Sequence, residues 1–214
     1  MTESFEQKKK RAGKILQRLK KAYPNAKIVL NYRNNIQLLV AVILSAQCTD
    51  KKVNEVTEKL FKKYKTVDDF AKANLKTFEQ EIRSTGFYHN KAKNIIAATY
   101  MIRDRFGGKL PKTMDEMLLL PGVARKTANV VLGNAYGVVG GIAVDTHVRR
   151  VSRHLGLTRE QNPDKIEQDL MKLFDKKDWF LLTYLFVEYG RGVHAAKNPT
   201  PCKDGPLKGI CSKD

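Results

Sequence analysis

Between residues 113 and 132 an apolar helical run is cut by Pro121-Gly122 and then resumes, and this break constrains the fold more than any other feature of the chain. Thr113-Met114-Asp115-Glu116 has the pattern of a capping box and opens a short helix through Leu118-Leu119-Leu120. Proline and glycine together stop it. Thr127-Ala128-Asn129-Val130-Val131-Leu132 must then begin a second helix, with Lys126 in its opening turn. The first backbone N–H groups of such a helix have no partner within it and form a ready anion site. Farther on comes Val144-Asp145-Thr146-His147. Asp145 is of the type that caps helix starts, and it precedes the apolar stripe Val148, Val151, Leu155, so its carboxylate is expected in a fixed place.

The rest of the chain also has helical spacing. Val53, Val56, Leu60, Phe61 and Tyr64 come after a Thr49-Asp50 start signal, and Ile95, Ile96, Thr99 and Ile102 precede a Gly107-Gly108 stop. Asn162-Pro163 starts a helix through Ile166, Leu170, Leu173 and Phe174. Trp179 to Tyr189 is apolar and aromatic almost all round, which marks a core helix. Only Ile142-Ala143-Val144 reads as extended. The fold class is therefore all-α, with about nine to eleven helices.

Charge narrows the partners. Forty Lys and Arg against twenty-two Asp and Glu leave a net charge of +18, which points to a polyanion. Lys8, Lys9, Lys10, Arg11, Lys14, Arg18, Lys20 and Lys21 run without an acid between them, on a stretch whose Ile15, Leu16 and Leu19 form an apolar stripe. The apolar run from Leu38 to Leu44 is far shorter than the ~20 residues of a membrane span. No membrane association is expected. The polar start, Met1-Thr2-Glu3-Ser4-Phe5, lacks the pattern of a secretory signal, so a cytoplasmic, nucleoid-associated location is expected. Three cysteines in such a chain argue against a disulfide framework.

The stretches LPGVARKTANVV and IAVDTHVRR, with Leu44-Ser45-Ala46-Gln47-Cys48-Thr49-Asp50 and Gly86-Phe87-Tyr88-His89-Asn90-Lys91-Ala92, closely resemble endonuclease III of the helix-hairpin-helix DNA glycosylase superfamily. The resemblance runs in order over nearly the whole chain. It implies two helical domains flanking a DNA-binding cleft: a six-helix barrel near residues 25–138, and a domain joining residues 1–24 to 139–214. Lys126 and Asp145 would meet at that cleft, Lys126 as nucleophile and Asp145 as catalytic carboxylate. The hairpin, with Gly122, Val123, Ala124, Arg125 and Thr127, would bind DNA phosphate through backbone amides. Gln47 resembles the residue that enters the duplex as the damaged base leaves; a polar cap on the 38–44 helix is its other reading. The resemblance thus implies a monomeric base-excision repair enzyme, both glycosylase and abasic-site lyase, acting on oxidised pyrimidines in double-stranded DNA. The rivals are a mismatch or uracil-type glycosylase on the same scaffold and a non-catalytic damage-binding protein.

The chemistry suits these residue types. Breaking a glycosidic bond leaves positive character on the sugar, which a carboxylate stabilises. A lysine attacks only as the free amine, and the neighbouring Arg125 and the positive helix N-terminus both favour loss of its proton. His147 has two readings, a group that orients Asp145 or the more common helix-surface histidine, and is assigned no role.

The chain also departs from the family. Many relatives hold a four-iron four-sulfur cluster on four C-terminal cysteines, the last three in a C-x2-C-x5-C run, whereas here only Cys202 and Cys211 remain. Gly205 stands in place of the middle cysteine, and His194 lies near the position of the earliest. Two thiolates cannot hold an ordinary cluster, so none is expected. Zinc on Cys202, Cys211 and His194 would lack an evident fourth ligand, and free thiols are the simpler reading. Ala124 replaces a second glycine common in such hairpins.

Overall fold

The structure, a computed structural model, describes residues 3–193 and 205–210. Among these, all regular secondary structure is helical and falls into two compact units. One unit runs from Val29 to Gly140; the other comprises the described residues of Met1–Ile28 and Gly141–Asp214. No helix among the described residues is long and apolar enough to cross a membrane.

The Val29–Gly140 unit is built around α2 (Asn35–Leu44), whose residues from Ile36 onward are all buried. A helix apolar all round must be covered on every side. It packs against α3 (Asp50–Lys63), α6 (Tyr88–Arg105) and α8 (Arg125–Tyr136). Two short helices, α4 (Val67–Ala71) and α5 (Leu75–Ile82), pack on α6, and their periodicity is too brief to stand out in the sequence. Their starts are nonetheless marked locally, by a Thr66 capping box with Asp69 and by Asn74 accepting from the Thr77 amide. Phe61, Tyr64, Phe70 and Phe78 fill the space between them, with Tyr64 stacked on Phe70 at 5.3 Å and edge-on to Phe78 at 5.2 Å.

In the other unit, α1 (Phe5–Ala22) buries Ala12, Ile15, Leu16 and Leu19 and leaves most of its lysines outside. Its stripe joins those of α9 (Thr146–His154), α10 (Pro163–Leu173) and α11 (Trp179–Gly192) in one core. The Ile142-Ala143-Val144 segment is not a strand. It is a buried loop, and the Thr183 hydroxyl of α11 supplies the polar partner that a sheet would have given: the Ala143 amide donates to it at 3.2 Å, and it donates to the Ala143 carbonyl at 3.4 Å. Gly190 lets α9 approach α11 closely. A Cβ there would lie 3.2 Å from His147 and from Val151.

Candidate DNA-repair site

Helix α7 (Met114–Leu118) leads into the hairpin. Its capping box is only half formed. The Thr113 hydroxyl accepts from the Glu116 amide, but the Glu116 carboxylate accepts from that hydroxyl at 2.8 Å instead of reaching a backbone amide. The helix ends at Leu118, so Leu118 and Leu119 stand outside, 42% and 52% exposed, while Leu120 is buried. The Val123 amide then donates to the Leu120 carbonyl at 3.1 Å. This closes a turn with proline second and glycine third, the place where a left-handed backbone is needed. Gly122 has φ +77°, and a Cβ there would fall 2.8 Å from the Cβ of Asn94 on α6. Glycine is thus required by conformation and by space.

Helix α8 begins at Arg125, two residues before the Thr127 expected from the pattern. Ala124 occupies the cap position in an extended conformation and has no side-chain oxygen to offer. The cap residue therefore contributes no side-chain hydrogen bond to the helix start, and Lys126, itself exposed, is the second residue of the first turn. Val123 is buried and Thr127 half-buried.

Asp145 is held differently. It caps α9, its Oδ1 accepting from the Val148 amide at 2.8 Å, and Val148 and Val151 anchor the helix in the core. The carboxylate is half-buried. His147 is not a surface histidine: it is half-buried against α11, with Nδ1 3.1 Å from the Arg150 guanidinium, which also donates to the Gly190 carbonyl at 2.7 Å. Burial pushes its imidazole below the ordinary value, and Arg150 and Arg191 push the same way, while Asp145 opposes them.

Gln47 does not cap α2. Ser45 holds that place, and Gln47 lies two residues beyond, exposed, with φ 53°. One other non-glycine residue among those described has a positive φ, Phe87 at 50°. Phe87 is the position before α6 and is 63% exposed, an aromatic ring set out in water by a left-handed backbone. Lys91, one turn farther along, is 5% exposed. Burial pushes its ammonium below the usual lysine value, and Cys48 acts in the other direction. Both lie in the Gly86–Ala92 stretch that carries the family resemblance, but residue type and spacing give neither a role: an aromatic beside a helix reads as core, and a lysine on a helix reads as solvated. Thus Gly122 and Val123 belong to the turn before α8, Ala124 to Thr127 to its start, and Gln47 and Phe87 share an exposed position with positive φ. Asp145 belongs to the second unit. Cys202, Cys211 and His194 lie outside the described residues.

A family model described as HhH-GPD superfamily base excision DNA repair protein matches residues 40–176, which span the hairpin and both helix starts. The chain is 50% identical to endonuclease III of Synechocystis sp. over 95% of this chain and 93% of that protein. It is 45% identical to endonuclease III of Bacillus subtilis over 88% and 86%. A solved structure of a trapped endonuclease III–DNA covalent intermediate, an estranged-adenine complex, has 43% identity, 96% coverage of both chains and a TM-score of 0.91. Helical fold and hairpin place the chain in the class of helix-hairpin-helix base-excision repair proteins. Within that class it belongs to the endonuclease III family.

Proposed function

We propose that this chain is a bifunctional DNA glycosylase and abasic-site lyase that acts on oxidised pyrimidines in duplex DNA. The observation that carries the reading is Lys126, an exposed amine in the first turn of α8, in a chain 43% identical to one trapped as a covalent DNA intermediate. A base within a duplex is unreachable, so the damaged nucleotide is first extruded, and weakened stacking lowers that cost. The turn from Gly122 to Thr127 holds a backbone phosphate through its amides, with Arg125 adding charge. Gln47 enters the space that the nucleotide leaves, and Phe87 offers a second, apolar wedge. The Lys126 nitrogen attacks the anomeric carbon as the bond to the base breaks, and the base departs with that electron pair and a proton. The Asp145 carboxylate stabilises positive character on the sugar and accepts a proton as the amine is alkylated. Opening of the sugar gives a Schiff base on Lys126, and β-elimination then nicks the strand on the 3′ side.

We propose further that the protein works without an iron-sulfur cluster, as a cytoplasmic monomer. Four thiolates are needed to hold such a cluster, and the sequence contains three cysteines, of which Cys48 comes after α2 in the Val29–Gly140 unit. No step of the proposed reaction passes through a metal.

Borohydride reduction during turnover tests the main reading. A covalent protein–DNA adduct that disappears in Lys126→Ala is expected; its absence from the wild type would overturn the lyase and leave a glycosylase that only releases base. Elemental analysis of the purified protein tests the second, with stoichiometric iron as the overturning result.

A further inference from the structure

A lysine is almost never buried without a pairing group, because stripping water from an ammonium is costly. Lys91 is buried, and its partners are carbonyl oxygens. Its Nζ donates to the Leu44 carbonyl at 2.8 Å and to the Thr85 carbonyl at 2.8 Å. Leu44 is the last residue of α2, and Thr85 ends the short 3-10 turn Arg83–Thr85 just after α5. The end of a helix leaves carbonyls without an intrahelical partner and carries partial negative charge, so a cation placed there is favoured. One ammonium therefore caps two chain ends that lie 47 and 6 residues from it in sequence.

Each of these two ends leads into an exposed loop. Three residues after Leu44 comes Gln47; two after Thr85 comes Phe87, whose own carbonyl accepts from the Lys91 amide at 3.1 Å. These are the two non-glycine residues with positive φ among those described, and both are exposed. The turn around Gln47 is held by short-range bonds, Ala46 amide to Ile43 carbonyl at 3.3 Å and Cys48 amide to Ser45 carbonyl at 3.2 Å. Such bonds shape each loop but do not fix one loop against the other. Lys91 does, since it binds both.

We propose that Lys91 is a positioning residue for base extrusion, setting the spacing between the Gln47 and Phe87 loops so that both probes enter the duplex together. This rests on the proposed duplex entry of those two residues. A methionine or leucine would fill the same volume without the desolvation cost, and would leave two carbonyls unpaired and the loops free to move apart.

The experiment compares Lys91→Met with the wild type in two single-turnover reactions: base release from a duplex carrying an oxidised pyrimidine, and strand nicking at a preformed abasic site, where no base has to be extruded. Base release should fall roughly tenfold or more and nicking by less than about threefold, since only the first reaction requires extrusion in full. Fluorescence of 2-aminopurine placed opposite the lesion should report slower opening. In a background with Gln47→Ala and Phe87→Ala the same lysine change should cost much less, because residues that act as a unit are not additive. Equal loss in both reactions, or full additivity, would overturn the positioning role. If circular dichroism shows Lys91→Met unfolded, Lys91→Arg, which keeps the charge but displaces the donors, is put through the same comparison with the same criteria. Should Gln47→Ala and Phe87→Ala leave extrusion unchanged, the duplex-entry reading fails and the positioning role with it; should they slow it while neither Lys91 variant does, the positioning role fails alone.

Discussion

The starts of α8 and α9 solve the same problem in opposite ways. Both leave backbone amides without intrahelical partners. At α9 the chain satisfies its own amide, the Asp145 carboxylate accepting from Val148 at 2.8 Å. At α8 the cap is Ala124, whose methyl group gives no such hydrogen bond. One end gains a fixed carboxylate; the other gives up about 1 kcal/mol of side-chain capping energy, and it is the end proposed to meet a phosphate. The contrast suits the proposed division of labour, with a charge held still in one unit and a phosphate and nucleophile position in the other.

The comparison breaks most sharply at Lys126. Lys126→Ala should lower strand nicking by about 10³-fold or more and abolish the borohydride-trapped adduct, with DNA binding reduced far less; gel assays of nicking and trapping on one abasic duplex check both. Next comes Asp145→Asn, which keeps an amide oxygen for the cap but removes the charge. Turnover should fall by about 10²-fold or more while the melting temperature barely moves, because asparagine caps nearly as well as aspartate. A large loss of stability with little loss of turnover would show that the cap is all Asp145 does.

Gly122→Ala should destabilise the protein by about 1–3 kcal/mol, from a left-handed backbone and the contact with Asn94, as read by denaturant unfolding. Ala124→Asp inverts the α8 solution. An internal cap should raise stability by about 0.5–1 kcal/mol and at the same time weaken DNA binding several-fold, because the new carboxylate competes with phosphate for the amides. Gain in both would refute the anion role of that turn.

The smallest effect is at His147. Its folded-state value lies below the reference 6.5, so the unfolded chain binds the proton more readily. The contribution to stability is then complete above pH 6.5 and is lost as pH falls through that value toward the folded one. Unfolding free energy should therefore decline below pH 6.5, and His147→Gln should flatten that part of the profile.

Much of the helical framework is legible because helices are written in short-range patterns. Thr49, Asn162 and Asp145 cap the helices that their spacing predicts, and the stripe on α1 is the one that is buried. What the spacing leaves unstated is any partner distant in sequence. Ile142 to Val144 reads as extended, but nothing near it shows that its polar partner is a hydroxyl 40 residues away. Gln47 beside an apolar helix could be a cap or a probe, and the neighbours alone do not choose.

By itself, then, the sequence determined the all-α class, the Pro121-Gly122 break, the capping place of Asp145 and the opening-turn place of Lys126. Each of these depends on φ preferences, periodicity and capping between residues a few positions apart. Only the tertiary structure decided that Gln47 stands clear of the cap, that Phe87 is exposed with a positive φ, that His147 packs against Gly190, and that Lys91 is buried. These depend on which carbonyls and surfaces meet after the chain has folded back on itself, and no local pattern records a hydrogen bond that spans 47 residues.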